Sequence, residues 1–150
     1  MAEITLSQAD AETLIEMPKS RVDNTVWNFP QPGHSISIPL KAVNHREDFL
    51  LDVWVGRIAV FSKGTYQNRA RLAIVLVRLD FGGPPHRNPD GEEVACPHLH
   101  VYRQDFGDKW ACPLPNDKFY HTSDPWSMLH DFMRYCSIVE PPSFQRGIFL

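Results

Sequence analysis

The chain is expected to fold as α+β: an antiparallel sheet of about five to seven strands, with an N-terminal and a C-terminal helix packed on it. Three observations predict this. Apolar residues at helical spacing are confined to two short stretches near the ends, and the segments between them either alternate or run β-branched. Thirteen prolines and eight glycines cut the chain into short elements. At 150 residues and 43% hydrophobic content it can bury one core, and no repeat, low-complexity tract or linker divides it, so residues 1–150 read as a single domain.

Taken in order, Ser7 followed by Asp10 forms an N-terminal cap, and Leu6, Ala9, Leu14, Ile15 and Met17 give a short helix one apolar face that ends by Pro18. Ser35 to Leu40 alternates, and Pro39 assigns that strand to a sheet edge. Phe49–Val55 and Arg57–Phe61 are strand-like and separated by Gly56, while Ser62–Ala70 is a polar connection. Leu72 to Leu79 has the composition of a strand covered on both faces. His98–Arg103 and Trp110–Leu114 form a hairpin across a short turn. Asp124 caps a helix with Pro125 at its first position, whose face of Trp126, Leu129, His130, Met133 and Cys136 is core, His130 included. Phe144 and Ile148 to Leu150 form an apolar tail folded back on the body.

No run approaches the ~18 apolar residues of a membrane span, and the acidic start MAEITLSQADAE is no secretory signal. Three cysteines make an odd number with no disulfide framework, so the expectation is a cytoplasmic protein with reduced thiols. The net charge of −3 disfavours strong non-specific nucleic-acid binding. Residues 57–87 nevertheless carry Arg57, Lys63, Arg69, Arg71, Arg78 and Arg87 against Asp80, leaving room for a local anion patch.

The chemistry is concentrated in residues 82–115, GGPPHRNPDGEEVACPHLHVYRQDFGDKWACPLP. Side chains alternate along a strand, so His98, His100 and Tyr102 share one face as an exposed polar ridge, with Leu99 and Val101 turned to the core. A His-x-His pair can converge on one metal ion, with Cys96 two residues earlier on the same face and His86 or Asp90 completing the shell. Zinc would then be held by Cys96, His98 and His100, although Cys-x-His-x-His is no standard zinc spacing. Alternatively, His98 and His100 act as base and acid in cleaving a phosphodiester, with Arg103, Lys109 or Arg78 stabilising charge on phosphate; Arg103 faces the other way. A third use is contact. Tyr66, Tyr102, Phe106 and Trp110 lie beside cations in loops, and with Arg69, Arg71, His86 and Lys109 they have the composition of a binding surface. Gly82-Gly83-Pro84-Pro85 lacks the features of a phosphate loop, and no Ser-His-Asp arrangement is recognisable.

The segments TYQNR at 65–69, LVRLDFGGPPHRNPDGEE at 76–93, CPHLHVYR at 96–103, DKWACPLP at 108–115 and DFMRYC at 131–136 resemble a family of short, functionally uncharacterised bacterial, phage and prophage proteins. The likeness spans about residues 48–150. It implies a setting rather than a reaction: small cytoplasmic proteins of mobile elements commonly inhibit host machinery, as anti-CRISPR and other anti-defence proteins do, or act as toxins. The resulting expectation is a host-defence inhibitor that works by stoichiometric contact with a host protein or ribonucleoprotein complex in a bacterial cytoplasm, without a cofactor. The alternative is a His-dependent ribonuclease-like toxin or a small metal enzyme using the His98/His100 face.

Overall fold

The structure, a computed structural model, describes residues 5–57 and 63–146. In chain order its elements are α1 (Gln8–Glu16), β1 (Lys19–Arg21), β2 (Val26–Asn28), β3 (Ser35–Ala42), β4 (Asp48–Val55), β5 (Gly64–Ala70), β6 (Ile74–Phe81), β7 (His86–Arg87), β8 (Glu93–Val94), β9 (His98–Val101), β10 (Ala111–Pro113), α2 (Pro125–Tyr135), β11 (Ile138–Glu140) and β12 (Ser143–Gln145). Eight strands form the main sheet in the order β10-β9-β6-β5-β4-β3-β1-β11, antiparallel except for the parallel β1/β11 pair. The α+β class holds, with one strand more than expected in the main sheet and two small two-stranded sheets, β2/β12 and β7/β8, beside it.

Both helix starts follow the sequence signals. Ser7 Oγ accepts from the Asp10 amide, and the Asp124 side chain accepts from the Trp126 amide with Pro125 opening the helix. His130 bonds back to the Trp126 carbonyl of its own helix, as expected of a structural histidine. One sheet face carries Ile38, Leu40, Leu51, Val53, Tyr66, Leu79 and Leu99, which form a single core with Leu14 and Ile15 of α1 and Leu129 and Phe132 of α2. No helix among the described residues is long and apolar enough to cross a membrane.

Four expectations are corrected. The stretch taken for a polar connection is β5, whose Gly64, Tyr66, Asn68 and Ala70 point inward; its Gln, Asn and Arg residues hid the alternation. Pro39 does not put β3 at an edge. β1 pairs only with Leu40, Lys41 and Ala42, so on that side no strand faces Pro39, which pairs with Leu50 of β4 on the other. The apolar strand begins two residues later than expected, because Arg71 and Leu72 take positive φ in a turn and Leu72 is 74% exposed. It is also covered on both faces only at Leu76 and Val77, since Val75, Arg78 and Asp80 alternate outward. The Gly56 amide bonds the carbonyl of Lys63, which directly precedes β5. The strand expected over Arg57–Phe61 falls largely outside the described residues, as do Ile148 to Leu150, whereas Phe144 does fold back, onto Trp126.

Tyr102 ends β9 facing inward. It is 6% exposed, its hydroxyl donating to the Leu6 carbonyl at 2.8 Å and accepting from the Leu6 amide at 2.9 Å. It pins the segment leading into α1. Tyr102→Phe is expected to cost about 1–2 kcal/mol, since two buried backbone groups lose their partner; urea unfolding reads this, and a change below about 0.5 kcal/mol would contradict it.

Candidate functional site

The sheet face opposite the helices is polar, and strand pairing decides which residues meet there. β6 and β9 are antiparallel, with Arg78 opposite His100 and Asp80 opposite His98. Side chains two apart on a strand share a face, so these four occupy one square of the sheet. The loop carrying His86 closes over them: its ring lies 4.6 Å from that of His100 and 5.9 Å from that of His98. The histidine face is therefore no exposed ridge. His98 is 2% exposed and His100 is fully buried.

His100 Nδ1 lies 2.8 Å from the Asp108 carbonyl oxygen. A carbonyl only accepts, so Nδ1 carries the proton and Nε2 is left with a lone pair in the neutral ring. That Nε2 lies 3.2 Å from Asp80 Oδ2. His98 is arranged alike. A hydrogen bond to the Ala95 backbone engages the ring, Cys96 Sγ stands 3.6 Å from Nδ1, and Nε2 lies 3.4 Å from the same Oδ2 of Asp80. Burial pushes the His98 imidazole below its ordinary pKa, against the pull of Asp80. Burial also works to raise Asp80, but a hydrogen bond and charge from His100 whenever its ring is doubly protonated, the Arg78 charge and the Thr65 hydroxyl, which donates to Oδ1 at 2.9 Å, hold its carboxyl well below the usual range.

Three acceptor atoms thus converge: the two Nε2 atoms and Asp80 Oδ2, all within 4.8 Å of one another. A proton on one imidazole can bridge only one pair of them, whereas one cation can satisfy all three. Zinc bonds of ~2.1 Å at tetrahedral angles place donor atoms about 3.4 Å apart, close to the 3.2 and 3.4 Å found here. His100, turned so that Nδ1 bonds the backbone and Nε2 faces the centre, is in the orientation of a metal-ligating histidine, and Thr65 holds the other carboxylate oxygen. Arg78 competes for this space, its Nη2 donating to His100 Nε2 at 3.1 Å and its Nε to Asp80 Oδ2 at 3.3 Å. Its Nη1 is paired with Asp108 Oδ2 at 2.5 Å.

The centre forms part of the wall of an open cavity of about 430 Å³. Trp54, Lys63, Thr65, His86 and Cys96 line it with Asp80 and His98.

The sequence-predicted residues sort as follows. His98, His100 and His86 come together. Cys96, expected as the third ligand, stands behind the His98 ring on its Nδ1 side and bonds toward the Asp80 and Pro84 carbonyls. Asp80 rather than Cys96 completes the group of atoms that could hold an ion. Asp90 is exposed and accepts from the Glu92 amide in its own turn, away from the centre. Arg103 lies beyond the end of β9, where the alternation has already broken at the inward-facing Tyr102, and stacks on Trp110 at 4.1 Å, with Phe106 against the same ring at 5.8 Å. Tyr66 is no loop residue: it is fully buried in β5, its hydroxyl bonding the Pro125 carbonyl, and Tyr102 is internal as well. The basic strip is largely spent, Arg69 gripping Asp52 at 2.6 and 2.9 Å and Arg71 pairing with Glu47 at 3.0 Å. Lys109 is exposed, and its carbonyl holds His86 Nε2 at 2.8 Å.

Asp80, Thr65, Lys63 and Trp54 were missed as site residues. A signal for Asp80 exists in the sequence: Arg78-x-Asp80 puts two charges on one face at the end of an otherwise apolar strand. Residues 6–138 match the model of one protein family, described as "Family of unknown function (DUF6978)", a match that begins well before the recognisable motifs. No curated protein and no solved structure matches the chain.

Proposed function

The chain belongs to this family of unknown function, and we propose that it is a small metal-dependent hydrolase whose ion is held by Asp80, His98 and His100. The convergence of three acceptor atoms at 3.2 and 3.4 Å spacing carries the reading. Two neutral imidazoles and a carboxylate suit zinc in its catalytic form, in which three protein ligands leave one position for water and lower its pKa to about 7. Asp80 and His98 belong to the cavity wall, so an ester or phosphoester bound in the cavity would lie beside a metal held there. Water adds to the electrophilic carbon or phosphorus, the leaving oxygen takes up a proton, and the products are an alcohol and an acid. The buried imidazoles must be unprotonated to bind, so affinity falls as the solution is acidified.

Metal-free protein titrated with zinc at neutral pH is expected to take up one equivalent and to retain it through gel filtration. Retention below about a tenth of an equivalent, with manganese and iron(II) giving the same result, would refute the reading.

Inhibition of a host defence complex by contact is the second reading. It draws on the exposed Phe106 and the Arg103–Trp110 stack at the hairpin tip. Asp80→Asn separates the two, since it lies outside that tip: an inhibitor that works by contact keeps its effect, and a metal enzyme loses turnover.

A further inference from the structure

The pairing registers place Trp54 opposite Thr65, Thr65 opposite Asp80 and Asp80 opposite His98. These four residues form one row across the polar face of the sheet. Neighbouring strands lie ~4.8 Å apart, so Trp54 stands about 10 Å along the row from the Asp80 ligand position. Trp54 is 36% exposed and lines the cavity. Lys63 enters the same space. A Cβ built on Gly83 would stand 3.8 Å from Lys63 Cε and 3.9 Å from Cys96 Sγ, so the lysine stem ends on the Cys96–His98 side of the cavity.

The charge of the lining selects the ligand. Among the described residues Asp80 is the only carboxylate on the cavity wall, and in the metal-centre reading it is a ligand, whereas Lys63 and Arg78 are cationic. With a dication bound, the inner end is strongly positive. The outer end is an aromatic plate that stacks any base regardless of its identity. Building on the metal-centre reading, we propose that the cavity binds a nucleotide, its phosphate between the metal and Lys63 and its base on Trp54. The volume of about 430 Å³ suits a mononucleotide-sized ligand, and the separation of plate and ion matches the reach from base to phosphate across a ribose.

The experiment is calorimetry on zinc-loaded protein with AMP, adenosine and inorganic phosphate as probes. AMP is expected to bind at least tenfold more tightly than either fragment. Trp54→Ala should weaken AMP about tenfold, and Lys63→Met should weaken both AMP and inorganic phosphate by a similar factor. Adenosine or inorganic phosphate binding as tightly as AMP, or Trp54→Ala leaving AMP unaffected, overturns the proposal. Zinc content is measured on every variant, so a nucleotide signal lost from protein that still holds zinc is assigned to the cavity. If wild-type protein takes up zinc and ignores AMP, the nucleotide assignment alone falls. If it takes up no zinc, the metal centre falls and the nucleotide assignment with it.

Discussion

Asp80→Asn is expected to weaken zinc binding by more than about a hundredfold while the protein stays folded. Loss of partners outside a metal's ligand shell already costs 10–100-fold, and here a ligand itself loses its charge. The amide has the same shape, and its oxygen can keep the Thr65 contact at Oδ1. Arg78 retains Asp108 as an ion-pair partner, so the square of side chains is not left with an unpaired cation. The comparison is best made by thermal unfolding with and without zinc, because an ion that binds only the native state raises its stability as ligand concentration exceeds Kd. Wild-type protein should shift upward and the variant should not. A variant that binds zinc within tenfold of wild type would take Asp80 out of the ligand set.

The largest effect on stability is expected at Lys19. This residue is completely buried, and its ammonium donates to the carbonyls of Ile15 at 2.9 Å, Met17 at 3.1 Å and Cys136 at 2.7 Å. These are end-of-helix carbonyls from α1 and α2, the groups that a helix leaves without partners and that carry its negative pole. Lys19 also stands 4.7 Å from the centre of the Phe49 ring. Lys19→Met keeps the length of the stem and strands three buried acceptors, at a cost of about 3 kcal/mol or more. At ~2–4 °C per kcal/mol for a chain of this size, Tm should fall by roughly 6–12 °C. A loss under 1 kcal/mol in urea would mean that the carbonyls find other donors.

Burial, opposed in part by the neighbouring Cys136, lowers the Lys19 pKa to about 8 from an ordinary 10.5. Between those values the unfolded chain holds the extra proton, so this group makes stability rise with pH across that window. The Cys136 thiol, pushed up to about 12 by its burial, acts in the opposite sense once the unfolded thiol ionises near 9. Between pH 8 and 9 the lysine acts with least opposition. Wild-type stability should climb there, and Lys19→Met should be flatter.

Much of the frame was legible because local rules and tertiary needs agree. Ser7 and Asp124 cap the helices they announce, and the β9/β10 hairpin pairs Ala111 with His100 as the chain order implies. The site was only half legible. His98 and His100 could be placed on one face from spacing alone, but whether that face meets water depends on a loop folding over it. Spacing carries no information about the lid formed by His86 and the residues around it. Nor could it show that Asp80, 18 residues earlier, stands opposite His98, since that register belongs to the sheet. Arg69 and Tyr66 misled for a related reason. A strand whose outward row is Thr65, Gln67 and Arg69 reads as a surface loop until Asp52 is found beside it.

The parallel pairing of β1 with β11 joins residues 19–20 to 138–140, and the ammonium at position 19 is complete only with the carbonyl of residue 136. The first strand of the main sheet therefore has a closing partner far along the chain, the Lys19–Cys136 contact spanning 117 positions. During synthesis the central hairpins from β3 to β6 can pair while α1 and β1 wait, Lys19 still in water. The contact that removes this charge from solvent is also the one that joins β1 to the segment following α2. A chain cut before residue 136 would hold every residue of the metal site and still lack the contact that fastens its beginning to its end.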